Sequence, residues 1–482
     1  MNQKPHARWL FGMLILLVLI GFGIYLRSLR ARQSTPTVER LVLVLEPNGW
    51  EGITAEQRRG IAILLRDRFD LTCPFPVLLE ENLRGTPPSN TTFLRLRGAR
   101  IEDDLQLFCT LDAPSDQVAF TLPALPPAAE LTAALIRVAG RPMPPDNLSP
   151  ALPKVFWELT ELMGWTVDHD VGPFRERALD LVQRAPDCPA AWLLLAELDW
   201  RALILASDSD PEIQERCRSR FQKTLDLLPG YPRAAYNAAL LMTDTGNQRE
   251  AIGSLLKAIQ AHPHVPYLRH GLAYAARTVG LLEGSRRALQ ARDRLQGPSR
   301  AGRKIAENTY LYLGDWAKFS ESLGQGPDPY VDEVVNFYRG YLRLLQGDQD
   351  QARVWFEQIL VHPGAKTDFE ALARVYNLSL QGQAAEALRA LDTLQQQRMR
   401  LRVPDGEFTF KIAEAYALLG ATDKSMLMAE RAYGQGFACT PWFEASPLLA
   451  PIRTTPRWRA LHQHLKERQQ LLETHFPASA FD

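Results

Sequence analysis

The sequence predicts a mainly helical protein: an α-solenoid of paired helices, preceded by a small α/β domain and an N-terminal transmembrane helix. Three observations predict this arrangement. Helix-pair patterns recur at intervals of ~34 residues from Lys154 onward. Strand and helix patterns alternate between residues 38 and 140. An uncharged apolar run also lies near the N-terminus. With 482 residues, 46% of them hydrophobic, the chain is long enough for several structural units.

The apolar run at residues 10–26 contains no charged side chain. Its length is close to the minimum for a helix that spans a bilayer core of ~30 Å at ~1.5 Å per residue. Basic residues follow it, without a small-x-small cleavage site, so we interpret it as an uncleaved anchor between a head at 1–9 and a linker at 27–37. We expect a single-pass protein of the inner (cytoplasmic) membrane with its C-terminal bulk in the periplasm. The opposite orientation stays open, because the positive charges on the two sides nearly balance.

Residues 38–140 are predicted to form one domain with the order β, α, β, β, β, α. The segments VERLVLVLEP, FPVLL, TTFLRLRGARI and LQLFCTLD have strand patterns, with the first strand ending at Pro47 and a turn over residues 98–104. Thr54 and Gln57 are spaced as a capping box at the start of the first helix. A second helix is expected at 127–139. Cys73 and Cys109 fall in this domain, either as buried thiols or as a disulfide in an oxidising compartment.

A proline-rich linker at 141–153 precedes the helical repeats at 154–440, and capping helices are expected at 441–482. The clearest repeat is PRAAYNAALLMTDTGNQREAIGSLLKAIQAHP, in which Ala239 is a small residue of the first helix and Pro263 ends the second. Small residues let paired helices approach closely, and proline cannot continue the helical hydrogen-bond ladder. The turns between paired helices are expected at Gly246, Gly280, Gly314, Gly347, Gly382 and Gly420.

This repeat pattern resembles that of tetratricopeptide repeat proteins. The C-terminal region is similar to the closing repeat of bacterial membrane-anchored signalling proteins, through Trp442, Pro447, Leu448, Pro451, Ile452, Arg453, Pro456, Arg457 and Trp458. The domain at 38–140 resembles the TolB-N or FlgO-like domain that precedes such arrays, with LFCTLD at the position of its edge strand. Relatives of this type fuse the domain to kinases or transcription regulators. This sequence contains neither a kinase nor a winged-helix pattern.

The resemblance implies a concave groove lined by the first helix of each pair. The positions expected to face it are Arg233, Tyr236, Asn237, Tyr267, His270, Tyr274, Arg277, Phe337 and Tyr341. Arg233 and Asn237 lie four residues apart and resemble the pair with which some relatives hold a peptide carboxylate. Aromatic and arginine side chains are typical of peptide hot spots. The alternative is that the tyrosines pack between adjacent repeats.

A second candidate surface is a basic patch after the repeat that turns at Gly280. It comprises Arg286, Arg287, Arg292, Arg294, Arg300, Arg303 and Lys304. The patch either contacts an acidic partner or lipid headgroups, or is a solvated helix face. The whole chain carries 55 basic and 55 acidic residues, so no global field attracts nucleic acid.

No phosphate-binding loop, zinc-protease motif or nucleophile elbow occurs in the sequence, so we expect no catalytic residue, metal or cofactor. Two functions remain. The first is a non-enzymatic membrane-anchored scaffold that binds protein or peptide partners through its groove. The alternative is a sensory or regulatory subunit whose α/β domain binds a ligand and whose repeats relay the signal to a kinase or transcription regulator.

Overall fold

The computed structural model describes residues 40–73, 75–79, 91–101, 104–112, 117–123, 152–165, 171–204, 212–296, 306–324, 333–361, 368–399 and 405–482. Within these ranges the chain is mainly helical with one β-sheet. The predicted anchor at 10–26, the helix at 127–139 and positions 141–151 of the predicted linker lie outside the described residues. The last two positions of that linker, Leu152 and Pro153, instead begin a helix. None of the helices in the described ranges is long and apolar enough to cross a bilayer.

The sheet has five strands in the order β2-β1-β3-β4-β5. The strands are β1 (Arg40–Glu51), β2 (Val77–Leu79), β3 (Thr91–Ile101), β4 (Asp104–Asp112) and β5 (Gln117–Pro123). The pairings of β1 with β2 and with β3 are parallel, and those of β4 with β3 and with β5 are antiparallel. The sequence predicted the first four strands but missed β5, which forms the far edge of the sheet.

Two predicted strand ends differ from the observed ones. β1 continues past Pro47 because its register shifts between Leu45 and Trp50, and a proline is tolerated at such an irregularity. The pairing of β3 with β4 extends to Ile101 and Asp104, so Gly98 lies within β3 rather than in the predicted turn. A Cβ atom at Gly98 would approach Cζ3 of Trp50 to 2.9 Å, which explains why glycine is needed there.

Two helices cover one face of the sheet: α1 (Ala55–Thr72) and α2 (Leu152–Gly164). The predicted capping box of Thr54 and Gln57 begins α1, so that prediction is confirmed. The backbones of α1 and α2 are in contact. A Cβ atom at Gly60 would lie 1.8 Å from the carbonyl oxygen of Thr160, and one at Gly164 would lie 1.7 Å from that of Glu56. Only glycine permits this approach.

Helical hairpins follow α2 along the chain. Their helices are α3 (Gly172–Arg184), α4 (Pro189–Ile204), α5 (Ile213–Leu227), α6 (Pro232–Asp244), α7 (Gln248–Ala261), α8 (Pro266–Thr278), α9 (Leu282–Gln296), α10 (Asn308–Tyr312), α11 (Trp316–Ser322), α12 (Glu333–Leu345), α13 (Gln349–Leu360), α14 (Asp368–Leu380), α15 (Ala384–Arg398), α16 (Gly406–Leu418), α17 (Thr422–Gly434), α18 (Thr440–Ala445) and α19 (Pro456–His475). The six predicted turn glycines all adopt positive φ angles, between 72° and 88°, as helix-ending glycines commonly do.

The hydrophobic core crosses the predicted boundary between the α/β domain and the array. One cluster combines strand residues such as Leu43 with α1, α2, α3 and the first part of α4. A larger cluster runs from α6 to the C-terminal turn at Phe481. Because side chains on both sides of residues 124–151 share one core, the sheet and the first array helices form one packed unit.

The C-terminal region packs back onto the helices α6 to α9. The backbone amide of Ala438 donates to the carbonyl of Thr278 at 2.7 Å. The side chain of Gln248 donates to the carbonyl of Gly436 at 2.9 Å and accepts from Arg468 at 2.6 Å. The described array is therefore closed on itself between α6 and α19.

Candidate functional site

The predicted groove residues lie on α6, α8 and α12, and the structure brings the chain's own helices against them. Helix α1 of the sheet unit contacts the side chains of α6 and α8, and α16 contacts those of α8 and α12. Two clusters of buried polar side chains result. We call them the α1 cluster and the α16 cluster.

The α1 cluster is centred on Arg233. Its Nη1 donates to Oδ2 of Asp67 on α1 at 2.9 Å, and its Nε donates to Oε1 of Glu197 on α4 at 2.8 Å. Asn237 donates to the same Glu197 oxygen at 2.6 Å, and the Tyr231 hydroxyl donates to Asp67 at 2.7 Å. The basic and amide pair predicted to hold a peptide carboxylate thus holds two carboxylates of this chain.

Tyr267 supplies the second half of the α1 cluster. Its hydroxyl donates to Oδ2 of Asp70 at 2.9 Å, and the guanidinium of Arg66 lies 5.4 Å from the centre of its ring. Burial raises the pKa of Asp70 to about 7. Tyr236 packs edge-on against Tyr267 at 5.4 Å, and its hydroxyl lies 3.3 Å from Nδ1 of His270. These aromatic residues fill the space between α1 and the array.

The α16 cluster is centred on Glu407. Arg277 donates to its Oε2 at 2.9 Å, Asn308 donates to its Oε1 at 2.6 Å, and the hydroxyl of Tyr312 donates to the same oxygen. Burial disfavours the ionised form of Glu407, but the charges of Arg277 and Lys411 and the hydrogen bonds from Arg277 and Tyr312 together outweigh it and lower the pKa of Glu407 to about 2. Tyr274 does not face a free groove either, because its hydroxyl donates to Asp244 at 2.6 Å.

Phe337 and Tyr341 belong to the core. Both side chains are fully buried, with ring centres 5.9 Å apart, and the Tyr341 hydroxyl donates to Glu414 on α16. The buried ammonium of Lys411 lies 5.2 Å from the centre of the Tyr338 ring. Phe337 and Tyr341 therefore pack between helices, which is the alternative to lining a groove. A partner that binds at the α1 cluster or at the α16 cluster must therefore displace α1 or α16.

The basic patch separates into paired and unpaired arginines. Arg286 and Arg287 both bind Glu283, and Arg287 also binds Asp482. Arg292 is buried and binds Glu307 at 2.6 Å. Arg294 is exposed at the end of α9. The predicted members Arg300, Arg303 and Lys304 lie outside the described residues.

Sequence reasoning missed the acidic half of both clusters. Asp67 and Asp70 lie one helical turn apart in the segment RDRFD, and both are almost fully buried. Glu407, Lys411 and Glu414 recur at helical spacing in an otherwise apolar helix. Charged residues at such positions are a detectable signal, because a charge on a buried helix face needs a partner.

Histidine, cysteine and carboxylate side chains are the usual protein ligands of metal ions. In the part of the chain that the structure describes, no group of three or more His, Cys, Asp or Glu side chains is placed to hold a metal ion. Cys188, Cys217 and Cys439 are buried free thiols, and burial raises the pKa of each. Cys73 is also buried, while the side chain of Cys109 lies outside the description, so their pairing stays a prediction.

Comparison with known proteins gives no family. No protein-family model matches the chain, and no curated protein matches its sequence.

Proposed function

We propose that this chain is a non-enzymatic scaffold of the tetratricopeptide type that binds protein or peptide partners. In this proposal residues 10–26 anchor it in the inner (cytoplasmic) membrane, the bulk lies in the periplasm, and residues 38–140 form a TolB-N or FlgO-like domain. The observation that carries the proposal is the α1 cluster. There, array side chains bind α1 through arginine and tyrosine donors, the chemistry by which binding grooves recognise peptides.

The α1 cluster also defines the partner that fits the groove. From the array, Arg233 and Tyr231 contact Asp67, and Tyr267 contacts Asp70. The two carboxylates lie three positions apart on one face of α1. A partner that enters this region is therefore a helix with two carboxylates one turn apart. It competes with α1, which is held nearby by its own chain and has the advantage of a high effective concentration.

The test is crosslinking in native membranes followed by mass spectrometry, with the full chain. We expect partner peptides crosslinked to α4, α6 and α8, and a higher yield from Asp67→Asn, which weakens the hold of α1. Arg353→Gln is the matched control, because Arg353 forms only an exposed pair with Glu357 on α13. If no partner crosslinks to these helices in either the native chain or Asp67→Asn, the scaffold proposal fails.

Membrane orientation has its own test. Full-length chains fused at the C-terminus to an enzyme reporter that is active only in the periplasm are expected to show activity. A reporter that is active only in the cytoplasm would contradict the periplasmic location if it were active in the same fusion position.

A sensory function is the second candidate, and one observation favours it. The strands, α1 and α2 share a hydrophobic core with α3 and α4, so a ligand-induced shift of α1 would be transmitted directly to the array. A thermal-shift screen of small molecules tests this candidate. A ligand that stabilises the full chain but not a chain lacking residues 38–140 supports it, provided that the shortened chain still shows helical circular dichroism.

A further inference from the structure

Residues 477–482 follow the last turn of α19 and pack against α9. Phe481 is the one buried side chain among them, at 1% exposure. Both carboxylate oxygens of Asp482 accept hydrogen bonds from Nη1 of Arg287 on α9, at 3.1 and 2.9 Å. The residues between α19 and Phe481 are mostly exposed. The 477–482 segment is therefore held on α9 by an aromatic ring and by the carboxylate that follows it.

A glycine on α9 makes room for the ring. Gly284 lies in the first turn of α9, and a Cβ atom there would come within 2.7 Å of Cδ2 of Phe481. A glycine within a helix destabilises it relative to alanine. Gly253 on α7 differs, because a Cβ atom there would meet nothing within 4 Å. The surface of α9 at Gly284 is therefore a recess that an aromatic ring fills and that a methyl group would close.

Arg287 supplies the charge that complements the carboxylate. It follows Gly284 by three residues, so the two positions lie on one face of α9. Its Nε donates to Oε1 of Glu283 at 3.1 Å, which orients the guanidinium and leaves Nη1 for Asp482. The recess at Gly284 and the guanidinium of Arg287 together form what we call the α9 site.

The α9 site holds the 477–482 segment only moderately. Burial of a single aromatic ring favours the docked segment over the released one by roughly ten- to 100-fold. The side chains of Arg287 and Asp482 are 35% and 61% exposed, and such an exposed pair contributes little more. The one helical turn of the segment, Ala478–Phe481, has little stability of its own. A competing segment with the same two groups can therefore replace it.

We propose that the α9 site docks a segment of a partner protein in which an aromatic residue is followed by a carboxylate, and that residues 477–482 fill it when the partner is absent. The residues that fill the site define this occupant. The ring must fit over Gly284, and the carboxylate must come next in the chain to reach Arg287. The proposal goes beyond the scaffold function argued from the α1 cluster, which lies on other helices. A negative result at the α9 site therefore leaves the crosslinking test of α4, α6 and α8 unaffected.

The experiment measures binding of a labelled peptide to the full chain in neutral detergent by fluorescence anisotropy. The peptide is HFPASAFD, the sequence of residues 475–482, with an amidated end so that its last carboxylate is the aspartate side chain. Phe481→Ala empties the site in the full chain. Gly284→Ala closes it, and Gly253→Ala is the matched control, because it also replaces a helical glycine but meets no atom. Sedimentation of each chain gives its oligomeric state.

We expect the native chain to bind the peptide roughly ten- to 100-fold more weakly than Phe481→Ala does, because its own segment competes. Gly284→Ala should weaken binding by roughly tenfold or more in either chain, and Gly253→Ala should leave it unchanged. Arg287→Gln should weaken it by roughly two- to fivefold, since the ion pair is exposed.

Three results would overturn the proposal. The first is no saturable binding to the native chain, which would mean that the segment never leaves the site. The second is an equal effect of Gly284→Ala and Gly253→Ala, and this comparison in the native chain holds even if Phe481→Ala lowers stability. The third is a native dimer that Phe481→Ala dissociates, which would assign the site to the segment of a second copy.

Discussion

Arg233→Gln is expected to release α1 from the array. The substitution removes the cation between Asp67 and Glu197, whose side chains are 2% and 21% exposed. Removing one member of a buried ion pair typically costs 3–5 kcal/mol, because the remaining charge stays buried without compensation. Asp67 keeps the guanidinium of Arg66 at 3.2 Å, and Glu197 retains some access to water, so we expect a loss at the lower end, about 3 kcal/mol.

Hydrogen exchange of the full chain measures this loss locally. A loss of about 3 kcal/mol corresponds to a roughly 100-fold decrease in the protection of the α1 amides when opening is limited by the release of α1. Arg353→Gln, which breaks only the exposed pair with Glu357, should change protection less than about twofold. Adding Asp67→Asn to Arg233→Gln should recover part of the loss, because the buried carboxylate that Arg233 compensated is then removed as well. Unchanged α1 protection in Arg233→Gln would refute the reasoning that this arginine holds α1 in place.

Two further predictions concern single residues of the same unit. Burial raises the pKa of Asp70 from 3.8 to about 7, so the folded state favours the protonated side chain. The contribution of this protonation to the free energy of unfolding is full below about pH 4. It is lost as the pH rises through about 7, at roughly 1.4 kcal/mol per pH unit. Urea unfolding across that window should therefore show a flatter pH dependence for Asp70→Asn, and an identical slope would contradict the burial argument. Gly60→Ala should lower the melting temperature because its Cβ atom would lie 1.8 Å from the carbonyl oxygen of Thr160, at a cost of roughly 1–3 kcal/mol or more. Its matched control, Gly253→Ala, meets no atom within 4 Å in a helix and should instead stabilise the chain by roughly 0.5–1 kcal/mol.

Local patterns predicted the local structure well. The capping box at Thr54 and the turn glycines, such as Gly246 and Gly382, follow from backbone geometry that a few neighbouring residues determine. The strand β5 was missed because QVAFTLP is short and its place at the sheet edge depends on pairing with β4. Gly98 was assigned to a turn because the sequence does not show that the Trp50 ring lies over it.

The candidate functional site was also predicted only in part, because it depends on contacts between distant parts of the chain. Helical spacing correctly grouped Arg233 with Asn237, since both contact Glu197. It could not identify what they bind, because Asp67 is 166 residues away along the chain. Pairings of this kind depend on how distant helices pack, and periodicity carries no information about them.

The sequence by itself determined that the chain is mainly helical, where its helix pairs turn, and that a sheet precedes them. These features follow from hydrophobic spacing and from residues with restricted or unusually free backbones. Only the tertiary structure decided that α1 occupies the face predicted as an open groove and that the array closes through contacts such as Ala438 with Thr278. The physical reason is that the free energy of a buried charge depends on its neighbours in space, and those neighbours come from distant parts of the chain.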